Sequence, residues 1–363
     1  MIGKTFTAAI VTTGLFACVA AHATAQSATS LDGSWGSGTL VVVSGGADEA
    51  LLIDPFTRRL LGRFPTGPDP REVALSPDGR FAYVTSFGWT PPDGAAPGTQ
   101  DSDEEPPPMA ASGARAVTVL DLAQRRVHAV FQPRDYRNLE AIRVADDGQR
   151  LWMTADDGGI VELDAHTGEV KMLWQSGGAN PGTLTVTRDS RRIWVASTGS
   201  DLVTMIDRVT VVPSHVETGR RPEGLALSPN ESEVWVANSG DHTISVINAR
   251  RLKEEARFSS GGVGPTRLRF NPAGNEVWVS HRGTQEVTVL DVASGAVIAR
   301  IPIEGEPRSL VFSDDGRRVL VSVPARHLVY MLDVEAREVI GSLDAGRLPA
   351  GVAWSEHDRT RGR

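Results

Sequence analysis

Gly224-Leu225-Ala226-Leu227-Ser228-Pro229-Asn230-Glu231-Ser232-Glu233-Val234-Trp235-Val236-Ala237-Asn238 holds a short apolar strand, a polar turn and a second apolar strand. The same frame recurs six more times, with turns starting at Ser76, Ala145, Thr187, Asn271, Ser313 and Ser355. Counting Ser228, successive starts lie 69, 42, 41, 43, 42 and 42 residues apart, so one period carries an insertion and the rest are regular. Two further markers keep this phase. Asp54, Asp121, Asp164, Asp207, Asn248, Asp291 and Asp333 each end an alternating segment such as Val287-Thr288-Val289-Leu290. A proline stands six residues before each turn (Pro70, Pro181, Pro222, Pro265, Pro307 and Pro349), with Leu139 the one exception.

Each period reads as four short strands, A to D, separated by Gly, Pro, Asn and Asp turns. Four strands per roughly 42 residues indicate a propeller blade. No segment carries useful helical periodicity. The fold expected is therefore all-β: a seven-bladed β-propeller spanning residues 38–358, with four antiparallel strands per blade. The phase also predicts the closure. The chain enters in strand B (Thr39 to Val43), continues through C (Ala50 to Asp54) and D (Leu60 to Phe64), and finishes in an A strand (Gly351 to Trp354). Pairing that last strand with the first blade removes two unpaired sheet edges.

Residues 1–25 read as a signal peptide. Lys4 precedes an apolar stretch from Phe6 to Ala21 that is too short for a stable membrane anchor. Ala23 and Ala25 form an A-x-A cleavage site before Gln26. A lipoprotein site at Leu15-Phe16-Ala17-Cys18 is the rival, disfavoured by the bulky Phe16. Cleavage before Gln26 removes the chain's one cysteine and leaves a periplasmic or secreted protein without disulfides. A linker (26–37), an acidic Pro-rich insertion in blade 2 (89–114) and a basic tail (359–363) complete the expected organisation. The insertion has few apolar residues beyond Trp89 and Met109, so either a disordered loop or an acidic docking arm fits it.

Net charge is −8, which argues against a nucleic-acid footprint. Of the 37 basic residues only Lys4, Lys171 and Lys253 are lysine, so arginine is this chain's default cation. There is no C-x-x-C-H and no H-E-x-x-H, no catalytic motif is recognisable, and no cofactor or metal is expected. His242, His281 and His327 fall in B–C loops of successive blades, but in different registers, which disfavours a shared metal.

Tyr83-Val84-Thr85-Ser86, Trp235-Val236-Ala237-Asn238 and Leu225-Ala226-Leu227-Ser228-Pro229 resemble the YVTN-type propeller repeat of exported bacterial and archaeal proteins. The resemblance spans about Thr39 to Trp354. It implies relatives such as surface-layer proteins, periplasmic propellers encoded with quinone-cofactor (PQQ) oxidation systems, heavy subunits of amine dehydrogenases, and propeller lactonases.

Function is sought where the repeats disagree. Trp152, Trp194, Trp235 and Trp278 share one strand-B position with Tyr83 and read as blade packing. The residue after the in-phase proline instead varies: Arg71, Glu140, Gly182, Glu223, Thr266, Arg308 and Ala350. Glu72 and Arg267 follow one position later. The B–C loops add Asn238, His281, Arg282 and Arg326. An anionic ligand or partner is expected at the channel mouth, centred on Arg71, Arg267, Arg308, His281 and Arg282, with Arg326, Glu223 and Asn238 around them. A solvated rim of paired Arg and Glu is the competing reading. The leading expectation is a monomeric, non-catalytic scaffold or binding protein. An enzyme of lactonase type and a dehydrogenase heavy subunit remain open beside it.

Overall fold

The computed structural model describes residues 38–88, 116–133 and 138–355. The leader, the linker, the insertion and the tail lie outside the described residues. The described residues form seven antiparallel four-stranded sheets, arranged as the blades of a β-propeller. Strand A of each blade is innermost, and neighbouring A strands touch around the ring.

The expected closure is present. Pro349–Ser355 pairs with Thr39–Ser44, with Leu40 opposite Trp354 and Val42 opposite Val352. All seven residues of this last strand are buried. Ser355 Oγ also donates to Gly79 O of blade 2 at 2.9 Å, so the closing strand is tied to the next blade.

The core lies between blades. Tyr83, Val117 and Phe131 of blade 2 pack on Leu139, Ile142 and Met153 of blade 3. Trp152 and Trp174 of blade 3 pack on Leu184, Ile193 and Val195 of blade 4. The four in-phase tryptophans are at most 1% exposed, in keeping with a packing role. Trp235 meets Phe258 and Phe270 edge-on, with ring centroids at 5.2 and 5.6 Å.

The seven Asp and Asn markers all end strand C. Their side-chain oxygens accept from backbone amides two or three residues on, as Asp54 does from Phe56 (2.9 Å) and Asp333 from Glu335 and Ala336 (both 2.9 Å). These Asx turns set the C–D reversal of every blade. Among the described residues no helix is long and apolar enough to cross a membrane.

Candidate functional site

Strand A delivers the variable residues to the axis. In blades 2 to 6 its pairing with strand B slips at the first residues, for example between Pro70 and Val73, and between Pro265 and Arg267. Such an irregularity breaks the alternation of a strand and re-aims its side chains. Consecutive residues in strand A, or leading into it, line one axial cavity: Arg71 and Glu72, Arg308 and Ser309, Ala350 and Gly351. Small residues let the A strands crowd together here. A Cβ on Gly224 would stand 2.4 Å from Thr266 O and 3.0 Å from Arg267 Cα, and one on Gly351 would stand 2.8 Å from Glu72 Cα.

Hydroxyl groups fix the backbone of these mouth residues across each blade boundary. Thr85 Oγ1 donates to Glu140 O (2.8 Å), Thr154 Oγ1 to Gly182 O (2.8 Å), Ser280 Oγ to Arg308 O (3.2 Å) and Ser322 Oγ to Ala350 O (2.7 Å). All four donors occupy the fifth position of strand B. In blade 4 that position is Ala196, and Thr183 supplies the bond to Glu223 O instead (2.7 Å). Sequence reasoning missed this role, although the hydroxyl recurs in phase.

Above the axis opens a cavity of about 700 Å³, whose lining includes Phe87, Glu140, Glu223, Arg267, Arg282 and Arg308. Arg71 lines the small axial cavity instead, stacked 4.6 Å from the Phe87 ring centre and paired with Asp69 at 2.5 Å. Arg282 reaches from blade 6 to Glu223 of blade 5 at 3.1 Å. Arg267 and Arg308 differ from these, since neither forms an ion pair with a described carboxylate. Arg267 donates only to Thr266 O, at 3.3 Å. Burial, and then the fields of Arg267 and Arg71, hold the Arg308 guanidinium below its usual pKa. Burial pushes the Glu140 carboxyl up, against the pull of Arg71, Arg308 and Arg267.

Three expected members stand elsewhere. His281 ends strand B of blade 6 and is fully buried, with Nδ1 3.1 Å from Val279 O. Burial lowers its pKa to about 4, so the ring is neutral and not an anion ligand at the mouth. Asn238 holds the equivalent place in blade 5, also buried, donating to Thr243 and Ser245. Both were expected in loops, but each is the last residue of strand B, with its side chain buried against a glycine that leads to the next blade, Gly262 for His281 and Gly219 for Asn238. Arg326 is drawn off by Glu304, outside the cavity lining.

His242 and His327 are each left-handed residues just before strand C. Their Nδ1 atoms accept from Gly264 N (3.2 Å) and Leu348 N (3.1 Å), tying each loop to the next blade. Among the described residues no group of three or more His, Cys, Asp or Glu is placed to hold a metal.

At the level of class, the family model for lactonases of the seven-bladed β-propeller type matches residues 256–340, which carry Arg267, Arg282, Arg308 and Arg326. No curated protein matches the sequence. Among solved structures the chain is similar to a functionally unknown protein from Desulfotomaculum acetoxidans, with TM-score 0.71 and 12% identity over 89% of this chain and 100% of that one. It is similar to the hydrazine synthase of Kuenenia stuttgartiensis (TM-score 0.63, 17% identity, 79% of this chain and 90% of that one). It also resembles the dihydro-heme d1 dehydrogenase NirN (TM-score 0.59, 16% identity, 88% and 75%). At these identities the likeness concerns the fold.

Proposed function

We propose that this propeller binds a small carboxylate- or phosphate-bearing ligand, or an acidic partner loop, at the mouth beside blades 6 and 7. The observation that carries the reading is the pair Arg267 and Arg308, which share one cavity without a described carboxylate partner. A half-buried guanidinium without a counter-charge is costly, and a bidentate oxyanion relieves that cost. The other mouth arginines are neutralised within the fold, so the free positive charge is concentrated on one side. The repeat's resemblance to propellers of quinone-cofactor oxidation systems makes the small organic acids of such a system the first class to test.

Calorimetric titration with small dicarboxylates tests the reading. The Arg267→Ala/Arg308→Ala double variant should lose binding while melting at an unchanged temperature. Equal binding by parent and variant would reduce the mouth to a solvated rim.

A second reading, hydrolysis of a lactone, is favoured by the family match over residues 256–340. Opening a lactone releases a hydroxycarboxylate, an anion of the class that Arg267 and Arg308 would hold. Glu140, raised by burial, is the mouth group suited to proton transfer. Release of acid from carboxylate-bearing lactones, lost on Glu140→Gln, would support turnover. Binding without acid release would leave the protein a binder.

A further inference from the structure

A second set of arginines gathers at the other end of strand A. Arg143 and Arg269 are both fifth residues of their strands, Leu139–Val144 of blade 3 and Pro265–Phe270 of blade 6. Arg188 lies in the A–B turn of blade 4, after the strand Pro181–Val186. The three line a separate cavity of about 320 Å³, together with Thr185, Ser228 and Glu231. None of the mouth residues Arg267, Arg308 or Glu140 lines it.

The charges here do not balance. Arg143 Nη1 donates to Glu72 at 3.0 Å and to Ile142 O at 2.6 Å. Arg188 lies 3.5 Å from Glu231 and donates to Pro229 O. Arg269 donates to Leu268 O at 3.0 Å and pairs with no described carboxylate. Glu72 pairs with Arg143 and also feels the fields of Arg267 and Arg269. Burial alone would raise it, but these three guanidinium groups outweigh burial and hold it below the usual range. Glu72 Oε2 accepts no hydrogen bond. Arg269 is pushed down to about 9, first by burial and then by Arg143, with Arg267 adding to the effect and Glu72 opposing it. An unbalanced cation at the wall of a small polar cavity favours an anion inside it.

We propose that this end of the channel is a second anion site, holding one tetrahedral oxyanion of phosphate size between Arg269 and Arg188, with Arg143 behind. The volume lies at the small end of the roughly 300–1,000 Å³ range of ligand pockets, which suits a phosphate or sulfate group rather than a large metabolite. Guanidinium groups converging from three blades offer paired donors to such oxygens. Thr185 adds a hydroxyl group at the wall. The cavity shares no lining residue with those of the mouth, so the loss of anion binding at the mouth leaves its own donors in place.

Inorganic phosphate is the probe, titrated calorimetrically into the parent and three variants. Arg269→Gln should weaken binding by about tenfold or more, since it removes a charge-assisted bidentate contact. The mouth variant Arg267→Ala/Arg308→Ala should retain the phosphate site. Arg188→Gln, at a side chain 66% exposed, guards against misfolding of the first variant and should weaken binding about threefold to tenfold. Phenyl phosphate in a parallel titration separates a free oxyanion from an esterified group. Weakening of inorganic phosphate binding by Arg269→Gln sustains the proposal. Absence of phosphate binding at millimolar concentration, or binding lost in the mouth variant and kept in Arg269→Gln, overturns it.

Discussion

Arginine serves two purposes around the mouth, and its partners decide which. Arg71 is spent on Asp69 and Phe87, Arg282 on Glu223 and Arg326 on Glu304, whereas Arg267 and Arg308 keep their charge for the cavity. Glu140 modulates that charge, because its carboxyl is raised by burial among three arginines. Ionisation of Glu140 places a negative charge beside the anion site, so binding should weaken as pH rises through its elevated pKa. A sulfonate ligand, which does not itself titrate there, isolates the effect. Glu140→Gln should flatten the pH profile and keep the parent's tighter, low-pH binding across it. His281 gives a stability prediction of defined sign. Its pKa is about 4 in the fold against 6.5 for an unhindered histidine, so the unfolded chain binds the extra proton between those values. Stability from this group is fully present above pH 6.5 and is lost as pH falls toward 4, by up to about 3 kcal/mol. His281→Asn, the residue found at the equivalent Asn238, should remove this part of the slope in urea denaturation at pH 4.5 and 7. An unchanged slope would mean that the ring is already protonated in the fold.

At the scale of the strand, the irregular start of strand A turns a scaffold into a site. The arginines Arg71, Arg267 and Arg308 were legible in the sequence because they occupy positions where other repeats carry Gly, Thr or Ala. The Asp and Asn turns and the tryptophans were legible for the opposite reason, since they repeat. His281 and Asn238 were not, because the phase places them at the strand–loop junction and does not say whether a junction side chain is buried or faces the mouth. Arg143 and Arg269 were also overlooked, as fifth residues of a strand read simply as inner wall. Ion-pair choices such as Arg71 with Asp69 depend on side-chain reach across a turn, which spacing alone does not fix. The crowding of A strands at Gly224 is open to test. Gly224→Ala would force a Cβ against Thr266 O, a backbone atom that cannot swing aside. It should destabilise the protein by about 1–3 kcal/mol and displace Arg267. Thr154→Val should cost about 1 kcal/mol by leaving Gly182 O without its donor. Thermal melts of both variants check these values, and an unaltered melting temperature for Gly224→Ala would show that the ring relaxes there.

At the scale of the molecule, a propeller's stability is tied to closure, because its core lies between blades and every blade must have two neighbours. The strand Pro349–Ser355 completes blade 1 and also faces blade 2, packing Val73 against Ala353 and anchoring Ser355 to Gly79. Deleting 347–363 strips the partner from Thr39–Ser44, leaving an unpaired inner edge rich in valine. It also removes the buried side chains Ala350, Val352, Ala353 and Trp354. Burial of Trp354 and Val352 alone is worth several kcal/mol, a large share of the roughly 5–15 kcal/mol that holds a domain folded. The truncated chain should therefore lose its cooperative melt and bind a hydrophobic dye. Removing only 359–363 leaves every pairing of the closing strand in place and should preserve the parent's melting temperature. A synthetic peptide of residues 347–357, added in trans, should restore cooperativity to the truncated chain, because strand addition supplies the missing ladder and its side chains together. A cooperative melt without 347–363 and without peptide would show that the ring holds with blade 1 open, and that closure is a property of the topology but not a source of its stability.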